Sequence, residues 1–151
     1  MLIDTRCFGK VDIADEKIVH FPEGLLGFEN LKDYTIIYDI TNGKRAKIAW
    51  LQSVEEPELA LPVINPFDVM EDYNPTVDEE LLKVLGDVTP ENIVVLLVVT
   101  VPSEVEKTTA NLKAPIIMNS DERLGAQIIV ENKDYVIKYP IIKKTRGGSE
   151  C

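Results

Sequence analysis

The sequence predicts a mainly β domain: a small antiparallel barrel-like or sandwich-like fold with one short α-helix near residues 78–86. Three observations predict it. Short runs rich in β-branched and aromatic residues recur along the chain, with turn-forming residues between them. A single stretch carries the apolar spacing and end signals of a helix. The length of 151 residues and the 45% hydrophobic share suit one core.

Residues 8–13 and 17–21 flank Ala14-Asp15-Glu16, a spacing that predicts a hairpin. Residues 34–40 and 46–54 flank Thr41-Asn42-Gly43-Lys44-Arg45, and Asn-Gly supplies the positive φ of a tight hairpin turn. A strand over 59–64 is stopped by Asn65-Pro66. Thr76-Val77-Asp78-Glu79 reads as a capping box. Leu81, Leu82 and Leu85 follow as an apolar stripe, and Gly86 is placed to end the helix. Residues 93–101 are apolar at both parities, which predicts a central strand covered on both faces. Strands over 108–112, 127–130 and 135–142 complete the set, the last an edge strand because it contains Pro140. One domain over 1–142 and a disordered tail over 143–151 are expected.

Charge is distributed unevenly. The chain carries a formal −10, and residues 55–91 hold eleven acids against Lys83 alone, also −10. Residues 138–151 carry four bases against Glu150, for +3. A strongly acidic chain does not suit direct binding of nucleic acid or an anionic membrane; it suits a basic protein partner. The N-terminal residues lack an apolar signal-peptide core, and the longest apolar run, 93–99, is too short to span a bilayer. A cytoplasmic protein is the expectation, with Cys7 and Cys151 as free thiols.

Little in the sequence points to catalysis, a metal or a cofactor. His20 is the one histidine, and its strand-like setting beside Phe21-Pro22 reads as structural. One histidine and two remote cysteines make no zinc set, and no glycine-rich phosphate loop is present. The clustered acids read as a solvated face, although paired carboxylates could in principle serve a hydrolase. Trp50 lies in an apolar strand and reads as core, while Gln52 and Asn111 read as partners for backbone groups. In Phe21-Pro22-Glu23-Gly24-Leu25-Leu26-Gly27-Phe28-Glu29, two glycines three apart predict a compact turn with Phe21 and Phe28 anchored in the core.

An ordered set of landmarks resembles the flagellar assembly factor FliW family. It comprises the run from Phe21 to Phe28, Leu51-Gln52-Ser53, Leu59-Ala60, Asn65-Pro66, Asn111-Leu112-Lys113-Ala114-Pro115-Ile116 and Gln127. Leu26 departs from the pattern, which has proline there. The resemblance implies a minimal β-barrel-like fold and a non-enzymatic regulator of flagellum biogenesis. It implies two partners, the RNA-binding translational repressor CsrA and flagellin. It further implies that CsrA is antagonised allosterically, which relieves repression of flagellin translation, and that cytoplasmic flagellin captures the factor and closes a feedback loop. A secretion chaperone that binds only flagellin is the alternative.

Two stretches are expected to bind partners. Glu71, Asp72 and Tyr73 lie in a predicted surface connection, with Glu55, Glu56, Glu58 and Asp68 nearby in sequence. An aromatic beside two acids can combine an apolar anchor with charge attraction to a basic partner such as CsrA. Phe21, Pro22, Glu23 and Phe28 offer a more apolar loop, suited to flagellin. The free protein is expected to be a monomer without cofactor or metal.

Overall fold

The computed structural model describes residues 1–41 and 44–141. Eleven strands are described: β1 (Leu2–Asp4), β2 (Lys10–Asp12), β3 (Ile18–His20), β4 (Asp33–Thr41), β5 (Lys44–Ser53), β6 (Ala60–Ile64), β7 (Ile93–Thr100), β8 (Thr109–Ala110), β9 (Ile116–Asn119), β10 (Leu124–Gln127) and β11 (Tyr139–Pro140). Seven of them form a closed ring in the order β7-β6-β5-β4-β3-β10-β9, with β9 returning to β7. β8 and β11 extend from the end of β7, and β1 and β2 form a separate two-stranded hairpin. The predicted mainly β, barrel-like class is what the chain adopts. Pairing is antiparallel except between β3 and β10, which run parallel and share one register pair, Leu124 with His20.

The β4–β5 hairpin forms as the sequence predicts, although its Asn42-Gly43 turn lies outside the described residues, as does the expected tail over 143–151. The first predicted hairpin does not form. β2 pairs with β1, and the Met1 backbone carbonyl accepts the Ile13 N–H. A 3-10 turn at Asp15–Lys17 then redirects the chain, so that β3 pairs with β4 instead. Cys7 is disulfide-bonded and not the expected free thiol, and Cys151 lies outside the described residues. The free-thiol expectation rested on the compartment, which does not determine which side chains a fold brings within reach.

Alternation within the strands divides the core into layers. Inside the ring, Phe21, Tyr34, Ala49, Leu51, Val63, Ile116 and Met118 pack together. The Phe21 ring closes one end and meets Tyr34 edge to face at 5.2 Å. It lies so close to the β10 backbone that a Cβ on Gly125 would come within 2.5 Å of it. Outside the ring, Ile48, Ile64, Leu97 and Val99 are covered by Val69, Tyr73, Leu112, Val130 and Tyr135 from the connecting segments. A third cluster joins Leu85 to Ile117, Ala126 and Ile128. Strand β7 therefore has apolar neighbours on both faces through its middle, but Ile93 and Val94 are exposed. The prediction of full coverage fails there because β6 ends at Ile64 and pairs with β7 only through Val63–Val98 and Ile64–Leu97.

The helix α1 (Glu79–Leu82) continues as a 3-10 turn through Leu85 to Gly86, whose φ is +74°. Asp78 caps it, its carboxylate accepting the Glu80 N–H at 2.9 Å. Thr76 is not the cap: its N–H donates to the Asn132 side-chain carbonyl at 2.6 Å, which ties the approach to the helix to another segment. Leu81 projects into solvent, whereas Leu82, Val84 and Leu85 face the third cluster.

Candidate partner-binding surfaces

The loop 21–32 caps one end of the barrel. Gly24 (φ +67°) sits where a Cβ would collide with the Glu29 backbone at 2.6 Å, so no other residue fits this turn without displacement. Gly27 takes φ +88°, and its N–H donates to the Glu29 carboxylate at 3.1 Å. That hydrogen bond is the main cause holding the Glu29 pKa below its ordinary value. The side chain of Gln127 staples the loop to β10: its Oε1 accepts the Leu26 N–H at 3.0 Å, and its Nε2 donates to the Ala114 carbonyl at 3.1 Å. The two predicted aromatic anchors part company in this loop. Phe21 is wholly buried and so unavailable to a partner, whereas Phe28 is 40% exposed. Phe28 fails to reach the core because the turn bonds its own N–H to the Leu25 carbonyl and points the residue outward. Pro22 is half-buried and Glu23 exposed.

Glu55, Glu56 and Glu58 occupy the exposed β5–β6 connection. Glu55 is committed to the same end of the barrel as the glycine loop. One of its oxygens accepts the backbone N–H groups of Lys32 at 2.8 Å and Asp33 at 3.0 Å. These bonds, Asp33's first, lower its pKa. Lys32 in turn donates its Nζ to the Pro22 carbonyl at 2.8 Å. His20 lies beside them, its Nδ1 2.8 Å from Asp33 Oδ1, half-exposed as a structural histidine should be. Gln52 works beneath this turn as predicted: it accepts the Arg6 N–H and donates to the Ser53, Pro57 and Leu59 carbonyls. Asn111 does the same for the Lys113 and Ala114 N–H groups.

Asp68, Glu71 and Asp72 leave the opposite end of β6. Asn65 caps the 3-10 turn Pro66–Asp68, which begins the crossing to α1. Asp68 is half-buried, and Glu71 and Asp72 are exposed. Tyr73 is not the exposed anchor predicted from sequence: it is 4% exposed. Its ring stacks on Tyr135 at 5.0 Å and 16°, and its hydroxyl donates to the Leu112 carbonyl at 2.9 Å. Burial, then the neighbouring Tyr135, raise its pKa. Tyr135 also accepts the Asn74 N–H at 2.7 Å. The aromatic therefore fastens the loop from beneath while the two acids face outward. The sequence cluster is thus divided: its members leave opposite ends of β6 and are anchored on different neighbours.

Between the glycine loop, α1 and the end of β10 runs a groove of about 430 Å³. Of its lining, only Glu23 is among the residues that the sequence led us to expect in partner binding. The exposed leucines of the loop and helix signalled it, but only the fold brings them together. Among the described residues no group of histidine, cysteine and carboxylate side chains could hold a metal ion, and no helix is long and apolar enough to cross a membrane.

Comparison with known proteins follows the same fold. The model of the FliW protein family matches residues 2–141. The flagellar assembly factor FliW of Lachnoclostridium phytofermentans is 47% identical over 150 residues, covering 99% of this chain and 96% of that protein. That of Lachnospira eligens is 45% identical, covering 93% of this chain and 94% of its own. A crystal structure of the flagellar assembly factor FliW superposes with a TM-score of 0.82 at 31% identity, covering 93% of this chain and 96% of that one. The match takes in the whole ring and the loop, and the chain belongs to the FliW family of flagellar assembly factors.

Proposed function

We propose that this chain is a non-enzymatic, cytoplasmic regulator of flagellar assembly that acts by binding proteins. On this reading it binds the RNA-binding repressor CsrA and antagonises it from outside the RNA-contacting surface, so that flagellin is translated. Flagellin that accumulates in the cytoplasm captures the chain and releases CsrA. Family membership supports the flagellar setting. The observation that carries the CsrA part is the loop 69–76. Glu71 and Asp72 are presented outward on a segment fastened by the buried Tyr73–Tyr135 stack. Fixed outward carboxylates on a chain of net charge −10 suit a basic partner, and a pre-ordered loop loses little entropy on docking.

Flagellin is assigned to the other face, the loop 21–28, where Phe28 and Leu26 are exposed. That apolar face also favours a second reading, a secretion chaperone that binds flagellin alone. Association kinetics with purified CsrA and flagellin, at two salt concentrations, separate the two. Changing Glu71→Lys and Asp72→Lys together should slow CsrA association by roughly tenfold at low salt and flatten its salt dependence. Flagellin binding should change much less. A folded double variant with wild-type CsrA kinetics would remove the acidic loop from the interface. No CsrA binding by either protein would leave the chaperone.

A further inference from the structure

The groove beside α1 has a distinct chemistry. Its apolar lining includes Leu26, Leu81 and Ile129, which are 49%, 47% and 56% exposed. Three large aliphatic side chains from three separate elements thus face one depression. Isolated exposed leucines are ordinary on a protein surface, but convergence into a patch marks a site of interaction. The volume of about 430 Å³ is in the range of binding clefts. The walls are firm, because Gln127 clamps the loop and Leu85 roots the helical segment in the core.

The rim is acidic. Glu23, Glu29 and Glu80 line it. The Gly27 N–H donates to the Glu29 carboxylate at 3.1 Å, and Lys83, the cation of this helix, pairs with Glu80 at 3.0 Å. The loop is tied to β10 through a side chain, the Leu26 N–H donating to Gln127 Oε1, and not through backbone pairing. The apolar lining comes from side chains of the loop, the helix and the end of β10, so recognition falls to side chains fitting between side chains. That is the manner in which an amphipathic helix lies in a groove.

We infer that this groove docks a helical segment of a partner protein, one apolar along a single face and carrying Lys or Arg beside that face. The inference rests on reading the chain as a protein-binding regulator and specifies the kind of segment this surface takes.

The probe is a labelled synthetic peptide of roughly 18 residues, long enough to hold a helix on binding, with leucines at helical spacing and lysines on both flanks. Two controls keep its composition but carry glutamate flanks or a central proline. Fluorescence anisotropy should show the lysine-flanked peptide binding at least about tenfold tighter than either control. Leu81→Gln combined with Ile129→Gln should weaken it by at least about tenfold. Glu23→Gln combined with Glu80→Gln should weaken it and reduce its salt dependence. Thermal melts confirm that these surface variants are folded. Absence of binding, equal binding of the glutamate-flanked or proline-interrupted peptide, or undiminished affinity in the Leu81→Gln, Ile129→Gln protein overturns the inference. The Glu71→Lys, Asp72→Lys protein should bind the peptide normally. Peptide failure with CsrA binding intact retires the groove alone. Peptide binding with no CsrA binding retires the proposed function alone.

Discussion

Tyr34 sits inside the ring with its side chain wholly buried and its hydroxyl without a hydrogen-bond partner among the described residues. Burial, and then the charge of Glu55, push its pKa up to about 12. An unfolded tyrosine titrates near 10. The folded state thus holds its proton to higher pH than the unfolded state does. The resulting stabilisation is fully present below about pH 10 and is lost as pH rises towards 12. Urea midpoints should fall across that window. Tyr34→Phe removes a hydroxyl that gains nothing from burial, so it should be neutral or stabilising at pH 7 and should fall less steeply in alkali. A loss above about 1 kcal/mol at neutral pH would mean that the hydroxyl is bonded after all. Trp50, by contrast, should be costly to truncate: Trp50→Ala is expected to lose about 3–5 kcal/mol in denaturant melts. Its burial was legible from an apolar strand setting, as were the backbone-serving roles of Gln52 and Asn111. The inward turn of Tyr73 was not, because Glu71 and Asp72 beside it dominate any local reading and the stacking partner Tyr135 lies far along the chain.

At the scale of elements, the helix near 78–86 was legible but the residue that caps it was not. Asp78 is the cap and not Thr76 of the expected capping box, whose N–H is held by Asn132. Asp78→Ala should therefore cost about 1 kcal/mol. Thr76→Ala should cost less than about 0.5 kcal/mol, since its bonds to Asn132 and Glu131 are made by its backbone N–H and carbonyl, and thermal melts of the two variants check the order. Strand β9 (Ile116–Asn119) went unpredicted. All four residues are buried, so there is no alternation to read, and Pro115 precedes them. The strand expected over 127–130 begins earlier, at Leu124. Its later residues continue through single bonds, Ile128 to the Pro115 carbonyl and Val130 to the Lys113 carbonyl. The strand expected over 135–142 shrinks to Tyr139–Pro140, an edge pair as the proline required, and residue 142 lies outside the described residues. Val136 and Ile137 are apolar but exposed, so composition alone overstated that strand.

Over the whole molecule, the class of fold followed from local signals, whereas closure of the ring did not. Closure depends on β7 meeting β9 and on β3 meeting β10, contacts between segments distant in sequence that no periodicity encodes. The candidate surfaces divide along the same line. Acidic residues can be counted in a sequence, but only the path of β6 shows that they do not form one patch.

The two thinnest joints of the ring have a consequence for its motions. β3 and β10 share one register pair, and β6 and β7 share two. Cutting there leaves two half-shells: the meander β3-β4-β5-β6 and the arc β10-β9-β7, each joined internally by three or more register pairs. The shells should part more readily than either unravels, like a clasp with two weak hinges. In native-state hydrogen exchange, amides paired within a shell, such as those of the β4–β5 hairpin, should exchange only through global unfolding. The His20 N–H, bonded to the Arg123 carbonyl across the first joint, should exchange through a smaller opening. Equal opening free energies at both places would describe a ring that breaks only as a whole. Unequal ones would describe a barrel that breathes along its seams, with the floor of the groove beside α1 carried on one shell and the glycine loop attached to the other.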